Sequence, residues 1–92
     1  MAVEVRLTAV LQKLTGGKKT VSGEGADVAA LLKNLESSYP GFLRQVQGED
    51  GALHRFVNIY LNDEDIRYLE QLHTPLRSGD VVSILPALAG GR

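Results

Sequence analysis

The sequence predicts an α+β domain, a mixed sheet of four or five strands packed on one main helix. Three observations carry that expectation. The stretches "VEVRLT" and "RFVNIYLN" alternate apolar and polar residues with the period of two that marks a half-buried strand. One segment alone repeats its apolar residues at helical spacing, with Val28, Leu31, Leu32 and Leu35 at i, i+3, i+4 and i+7. A lone helix must bury that stripe, and a sheet is the available partner. Ninety-two residues are too few for two cores.

The first strand is "VEVRLT", with Val3, Val5 and Leu7 on one face. Polar turn material follows in "KLTGGKK", where Gly16 and Gly17 supply positive backbone dihedrals for a tight connection. "KTVSG" returns as a second strand. The helix then starts behind Asp27, a plausible N-cap whose carboxylate meets the positive end of the helix dipole. Pro40-Gly41 ends it, because proline disfavours the helical conformation at Tyr39. No second helix is evident, and "FLRQVQGEDGALH" is ambiguous apart from the "GEDG" loop inside it. "RFVNIYLN" sets Val57, Ile59 and Leu61 on one face and Phe56, Asn58 and Tyr60 on the other. "NDED" reads as a turn, "IRYL" as a short strand, "RSGD" as a turn and "VVSILP" as a buried last strand. The domain is expected to span 1–86, with 87–92 as a flexible tail.

Composition excludes several functions. A formal net charge of −1 gives no strong field for nucleic acid or an anionic membrane surface. No apolar run is long enough to span a bilayer. The start, "MAVEVRLTAV", lacks the pattern of a secretion signal, so a cytoplasmic location is expected. There is no cysteine, which removes disulfides, thiolate metal sites and a thiol nucleophile together.

Side chains that invite chemistry do not assemble a site. "NDED" lacks the glycine and distal glutamate of a calcium loop and reads as a solvated turn. His54 and His73 lack the i, i+4 pairing of a helical zinc site. "GGKK" lacks the spacing of a phosphate loop, and the serines have no paired base in sequence. No catalytic residue, metal site or cofactor is expected.

The end of the chain is different. After "VVSILP" come small residues and then Gly90, Gly91 and Arg92. Glycine loses more backbone entropy on ordering than any other residue, so this pair holds no shape alone. "LHRFVNIYLNDEDIR" followed by "SGDVVSILPALAGG" resembles the ThiS/MoaD family of ubiquitin-like, β-grasp sulfur carriers. Within that family it is most similar to the branch typified by the CysO carrier of cysteine biosynthesis.

The resemblance implies a protein co-substrate rather than an enzyme. An E1-like, ATP-dependent enzyme would adenylate the Gly91 carboxylate, and sulfur would then convert it to a thiocarboxylate. Gly90, lacking Cβ, would let the backbone pass a narrow channel. A PLP-dependent cysteine synthase would receive the sulfur, and a metalloprotease would release the product. The outer sheet face near the C-terminus would grip these partners through Phe56, Tyr60, Leu85, Pro86 and Leu88, of which Leu88 lies beyond the last strand. A monomer is expected for a carrier that visits several enzymes.

Arg92 departs from the pattern, since the family ends on glycine. It reads as an extension removed by a protease, as a remnant of cloning, or as a tolerated residue, and the first is favoured. Two further functions stay open: a ubiquitin-like modifier joined through Gly91 to lysines, and a non-covalent interaction module. Cysteine synthesis is favoured through the resemblance, with molybdopterin, thiamine, tRNA or siderophore synthesis as alternative destinations for the sulfur.

Overall fold

Alternation in the first strand is realised as β1, Ala2–Arg6, whose Val3 and Val5 are buried while Glu4 and Arg6 face outward. The computed structural model describes residues 2–48, 50–51, 53–54 and 57–86. Its sheet adds β2 (Thr20–Glu24), β3 (Val57–Leu61), β4 (Glu64–Asp65) and β5 (Val81–Pro86) in the spatial order β2-β1-β5-β3-β4. β1 and β5 run parallel at the centre, and the other pairs are antiparallel. The expected mixed sheet is therefore present with five strands.

The main helix, α2, spans Val28–Ser38. Asp27 caps it, its carboxylate accepting the Ala30 N–H at 2.8 Å. Val28, Leu31, Leu32 and Leu35 are fully buried and join Val3, Val5, Ile59, Val82 and Ile84 in one core. Each such side chain contributes about 1.5–3 kcal/mol by leaving water. Tyr39 ends the helix with φ −134° and ψ 83°, the extended backbone that a following proline favours. Replacing Asp27 by Ala should cost about 1 kcal/mol, because one amide of the first turn loses its acceptor. Urea unfolding reads this directly, and an unchanged midpoint would mean that the cap contributes nothing.

Four sequence expectations are corrected. The link between β1 and β2 is not a tight turn. A short helix α1, Ala9–Gln12, and a 3-10 turn at Lys13–Thr15 precede Gly16 and Gly17, whose φ values are +73° and +90°. The ambiguous "FLRQV" forms a second helix, α3 (Phe42–Val46), because Phe42 and Val46 are both fully buried one turn apart. "IRYL" is a 3-10 turn at Ile66–Tyr68, and Asp65 accepts the Arg67 N–H at 2.9 Å to start it. The strand lies one step earlier, at β4. Finally, β5 is buried on one face only: Val82 and Ile84 point to the core, while Leu85 is exposed.

Only the first half of "NDED" is a turn, Asn62-Asp63 joining β3 to β4, and Glu64-Asp65 are β4 itself. Asn62 and Asp63 take φ +49° and +75°, the left-handed pair that a two-residue hairpin loop requires. The Asn62 side chain also ties this turn to the start of β5, accepting the Val81 N–H at 3.0 Å and donating to Asp80 at 3.1 Å.

Candidate functional site

β5 lies between β1 and β3 and ends at Pro86, at the centre of the sheet. Register fixes what surrounds that end. Asn58 faces Leu85, Val57 faces Pro86, and Tyr60 faces Ser83. Leu85 and Tyr60 therefore share the outer face of the sheet as diagonal neighbours, Leu85 42% exposed and Tyr60 half-buried. Pro86 is the last residue of β5. Phe56, Leu88, Gly90, Gly91 and Arg92 lie outside the described residues.

Beside that end is an apolar cleft of about 230 Å³ lined by Thr8, Val10, Leu11, Gln45, Val57, Ile84 and Leu85. Three segments far apart in sequence build it: the connector after β1, helix α3, and the paired ends of β3 and β5. Val10 stands 57% exposed at its rim, although Leu11 beside it is buried. Sequence reasoning finds Leu85 here but misses Val10, Leu11 and Gln45. The available signal is the run "AVL" in a polar connector, where one apolar residue must face outward if its neighbour packs inward.

Two polar contacts hold the walls. β3 pairs with β4 only at Tyr60 and Leu61, which leaves Val57 open on that edge. Arg67 closes it, its guanidinium donating to the Val57 carbonyl at 2.9 Å and to the Asn58 side-chain oxygen. An edge covered in this way does not template another strand. On the other wall, Glu36 in the last turns of α2 accepts the N–H of Leu43 at 2.8 Å and that of Gly41 at 3.1 Å, orienting α3. These two amides, Leu43 first, with Arg44 adding a smaller attraction, hold the Glu36 carboxyl below its ordinary value of 4.5 despite some desolvation.

The sign of the pH effect follows. The folded state binds this proton more weakly than the unfolded chain does. Glu36 therefore contributes its stability fully above the ordinary glutamate value, and that contribution fades as pH falls through the lowered folded value. Glu36→Gln should be less stable than wild type near neutrality, with the gap narrowing as pH drops below about 4.5. Denaturant titrations across that range check it, and a gap independent of pH would assign Glu36 no such role.

The histidines and acidic groups form no centre. The His54 ring nitrogen lies 3.0 Å from the Arg44 carbonyl, and His73 is exposed in a 3-10 turn. Among the described residues no group of three metal-ligating side chains could hold an ion, and no helix is long and apolar enough to cross a membrane. What the site offers chemically is an apolar surface at the end of β5.

Comparison with known proteins places this architecture. A sequence model of the ThiS family matches residues 5–91. The chain is 45% identical over 93 residues to the sulfur carrier protein CysO of Mycobacterium tuberculosis, covering 99% of this chain and 100% of that protein. The crystal structure of that CysO superimposes with a TM-score of 0.88 at 44% identity, covering 94% and 99% of the two chains. A chain of the Amycolatopsis orientalis BexX/CysO complex gives a TM-score of 0.88 at 40% identity, covering 97% and 99%. Small archaeal modifier protein 3 of Haloferax volcanii is 32% identical over 93 residues, 99% of this chain and 100% of the relative.

Proposed function

The chain belongs to the ThiS family, a β-grasp protein by its match to CysO structures, and from that premise we propose that it is a sulfur carrier whose working group is the carboxyl of Gly91. The observation that carries this reading is the full-length similarity to CysO, continuous through the Gly-Gly pair.

The chemistry needs no side chain of this protein. A carboxylate is a poor electrophile. Attack of its oxygen on the α-phosphorus of ATP expels pyrophosphate and leaves an acyl-adenylate. A sulfur donor then attacks the carbonyl carbon, AMP departs, and the protein ends in a thiocarboxylate. That soft nucleophile sits on the backbone, which suits a chain without cysteine. The chain acts as co-substrate rather than enzyme. The adenylation is assigned to an E1-like enzyme. The thiocarboxylate sulfur then displaces the leaving group of an activated serine derivative on a PLP-dependent synthase, and acyl transfer from sulfur to the amine leaves cysteine joined to Gly91 by a peptide bond. A metalloprotease cutting after Gly91 releases the product, and the same cut would remove Arg92. That a CysO was crystallised in complex with BexX supports partner binding as the mode of action.

The partner-facing surface in this reading is the end of β5, with Leu85, which also lines the cleft, and Tyr60 beside it on the outer sheet face joined by Pro86, Phe56 and Leu88. ATP–pyrophosphate exchange with the adenylating enzyme tests the acyl donor. Exchange is expected for a chain ending at Gly91 and not for one ending at Arg92. Equal exchange by both would contradict the need for processing, and exchange by neither would contradict the function.

The similarity to small archaeal modifier protein 3 favours a second reading, a modifier joined through Gly91 to lysine amines. An acyl-adenylate accepts attack by either nucleophile. Gly91–lysine isopeptides in cell extracts would support the modifier, and their absence beside a thiocarboxylate would support the carrier.

A further inference from the structure

We infer that the root of the tail is a basic docking collar, and that the adenylating partner meets it with an apolar centre rimmed by carboxylates. This rests on the reading of Gly91 as the acyl donor.

Topology gathers the charges. β1 and β5 are parallel, so the connector 7–19 and the tail leave the same end of the sheet. β3 is antiparallel to β5 and brings its first residue, Val57, to that end. The connector carries Lys13, Lys18 and Lys19 and no carboxylate. All three lysines are exposed, and they make no ion pair among the described residues. Helix α3 adds Arg44, which shares a surface hollow with Gln45, His54 and Val57 next to the cleft. The carboxylate facing Arg44 is Glu36, whose two oxygens already accept the amides of Gly41 and Leu43. Asp50 lies in the loop that follows α3.

The opposite end of the sheet has the reverse character. Asp63 and Glu64 sit at the β3–β4 turn, Asp80 precedes β5, Glu24 ends β2, and Arg77 lies in the loop just before Asp80. In a chain of net charge −1, Lys13, Lys18, Lys19 and Arg44 thus stand at the end of the sheet where β5 finishes, and these carboxylates at the other. A near-neutral total disfavours a polyanion such as nucleic acid, which is drawn to large net positive charge. It suits a protein surface of matching pattern.

Reach supplies the occupant. Five residues separate Pro86 from the Gly91 carboxyl, and they span at most about 17 Å when extended. An enzyme holding that carboxyl at its nucleotide lies within that reach of the end of β5, which borders the cleft. The collar lysines then fall within a screening length or two of the contact, about 10 Å each at 0.1 M salt. Rim charges of this kind act on encounter more than on the chemical step.

The test uses the chain ending at Gly91, the host's ATP-dependent adenylating enzyme and ATP–pyrophosphate exchange. K18E/K19E is compared with D63K/E64K at the far end, in low and high salt. At about 20 mM salt the lysine reversal should lower kcat/KM about tenfold through KM, with kcat unchanged. The deficit should shrink to within about twofold at 300 mM salt, and the far-end reversal should stay within about twofold throughout. A lysine reversal without effect at low salt, or an equal loss from D63K/E64K, would overturn the collar. No exchange by the unaltered chain would overturn the Gly91 reading itself, and the collar with it.

Discussion

In a chain ending at Gly91, Gly90→Val is expected to reduce adenylation by about 100-fold or more, a loss typical of misplacing a reacting group by an ångström. Thermal stability should not change. The loss has a steric origin. A β-branched side chain widens the backbone next to the reacting carboxyl and restricts its dihedrals, so the carbonyl cannot seat against the nucleotide. The core of the described residues draws on no position later than Ile84, so the substitution alters none of its side chains. Pyrophosphate exchange and a melting curve on the same sample check both halves. Full exchange by the variant would remove the reason for a glycine at that position.

The second large effect falls on stability alone. Gly25→Ala is expected to destabilise the domain by about 3 kcal/mol, the upper part of the usual range for overpacking. A Cβ on Gly25 would lie 2.4 Å from the Leu31 amide nitrogen and 2.8 Å from the Ala30 carbonyl carbon. Both are backbone atoms in the first turns of α2, so no rotamer change relieves the clash. Gly23 is a softer case, since its Cβ would meet the ends of the Leu31 and Leu35 side chains. Gly79→Ala separates contact from dihedral strain. Its φ is +91° with open space around it, and the cost should be about 1–2 kcal/mol. Urea denaturation ranks the two, and equal costs would contradict the close approach at Gly25.

That glycine also shows where sequence reading stops. "GEGAD" looks like any turn, and the need for Gly25 arises only when α2 is laid against the sheet. β1, β3 and α2 are legible because each repeats its apolar residues at its own period over at least five positions, and β5 because its β-branched run follows a turn. Helix α3 is not, since its first amides are satisfied by Glu36 from across the Pro40-Gly41 break. The 3-10 turn at Ile66 hides because a short apolar run after a hairpin fits a strand equally well. The cleft draws on residues 8 to 85, a combination no window of sequence contains. Tyr60 is legible as an outward residue by alternation, whereas Leu85 enters only with the family resemblance and Val10 needs the fold. Gly90 and Gly91 carry their argument in chemistry, through the missing Cβ and the carboxyl behind it.

The most direct test of the central claim is the intact mass of the untagged protein isolated from its own host. The expected result is loss of Arg92, together with a fraction heavier by the difference between one sulfur and one oxygen. Incubating that fraction with an alkylating reagent should move it by a single adduct, although the chain has no cysteine. Arg92 retained throughout, with no sulfur-bearing species in sulfur-replete cells, would contradict the carrier reading.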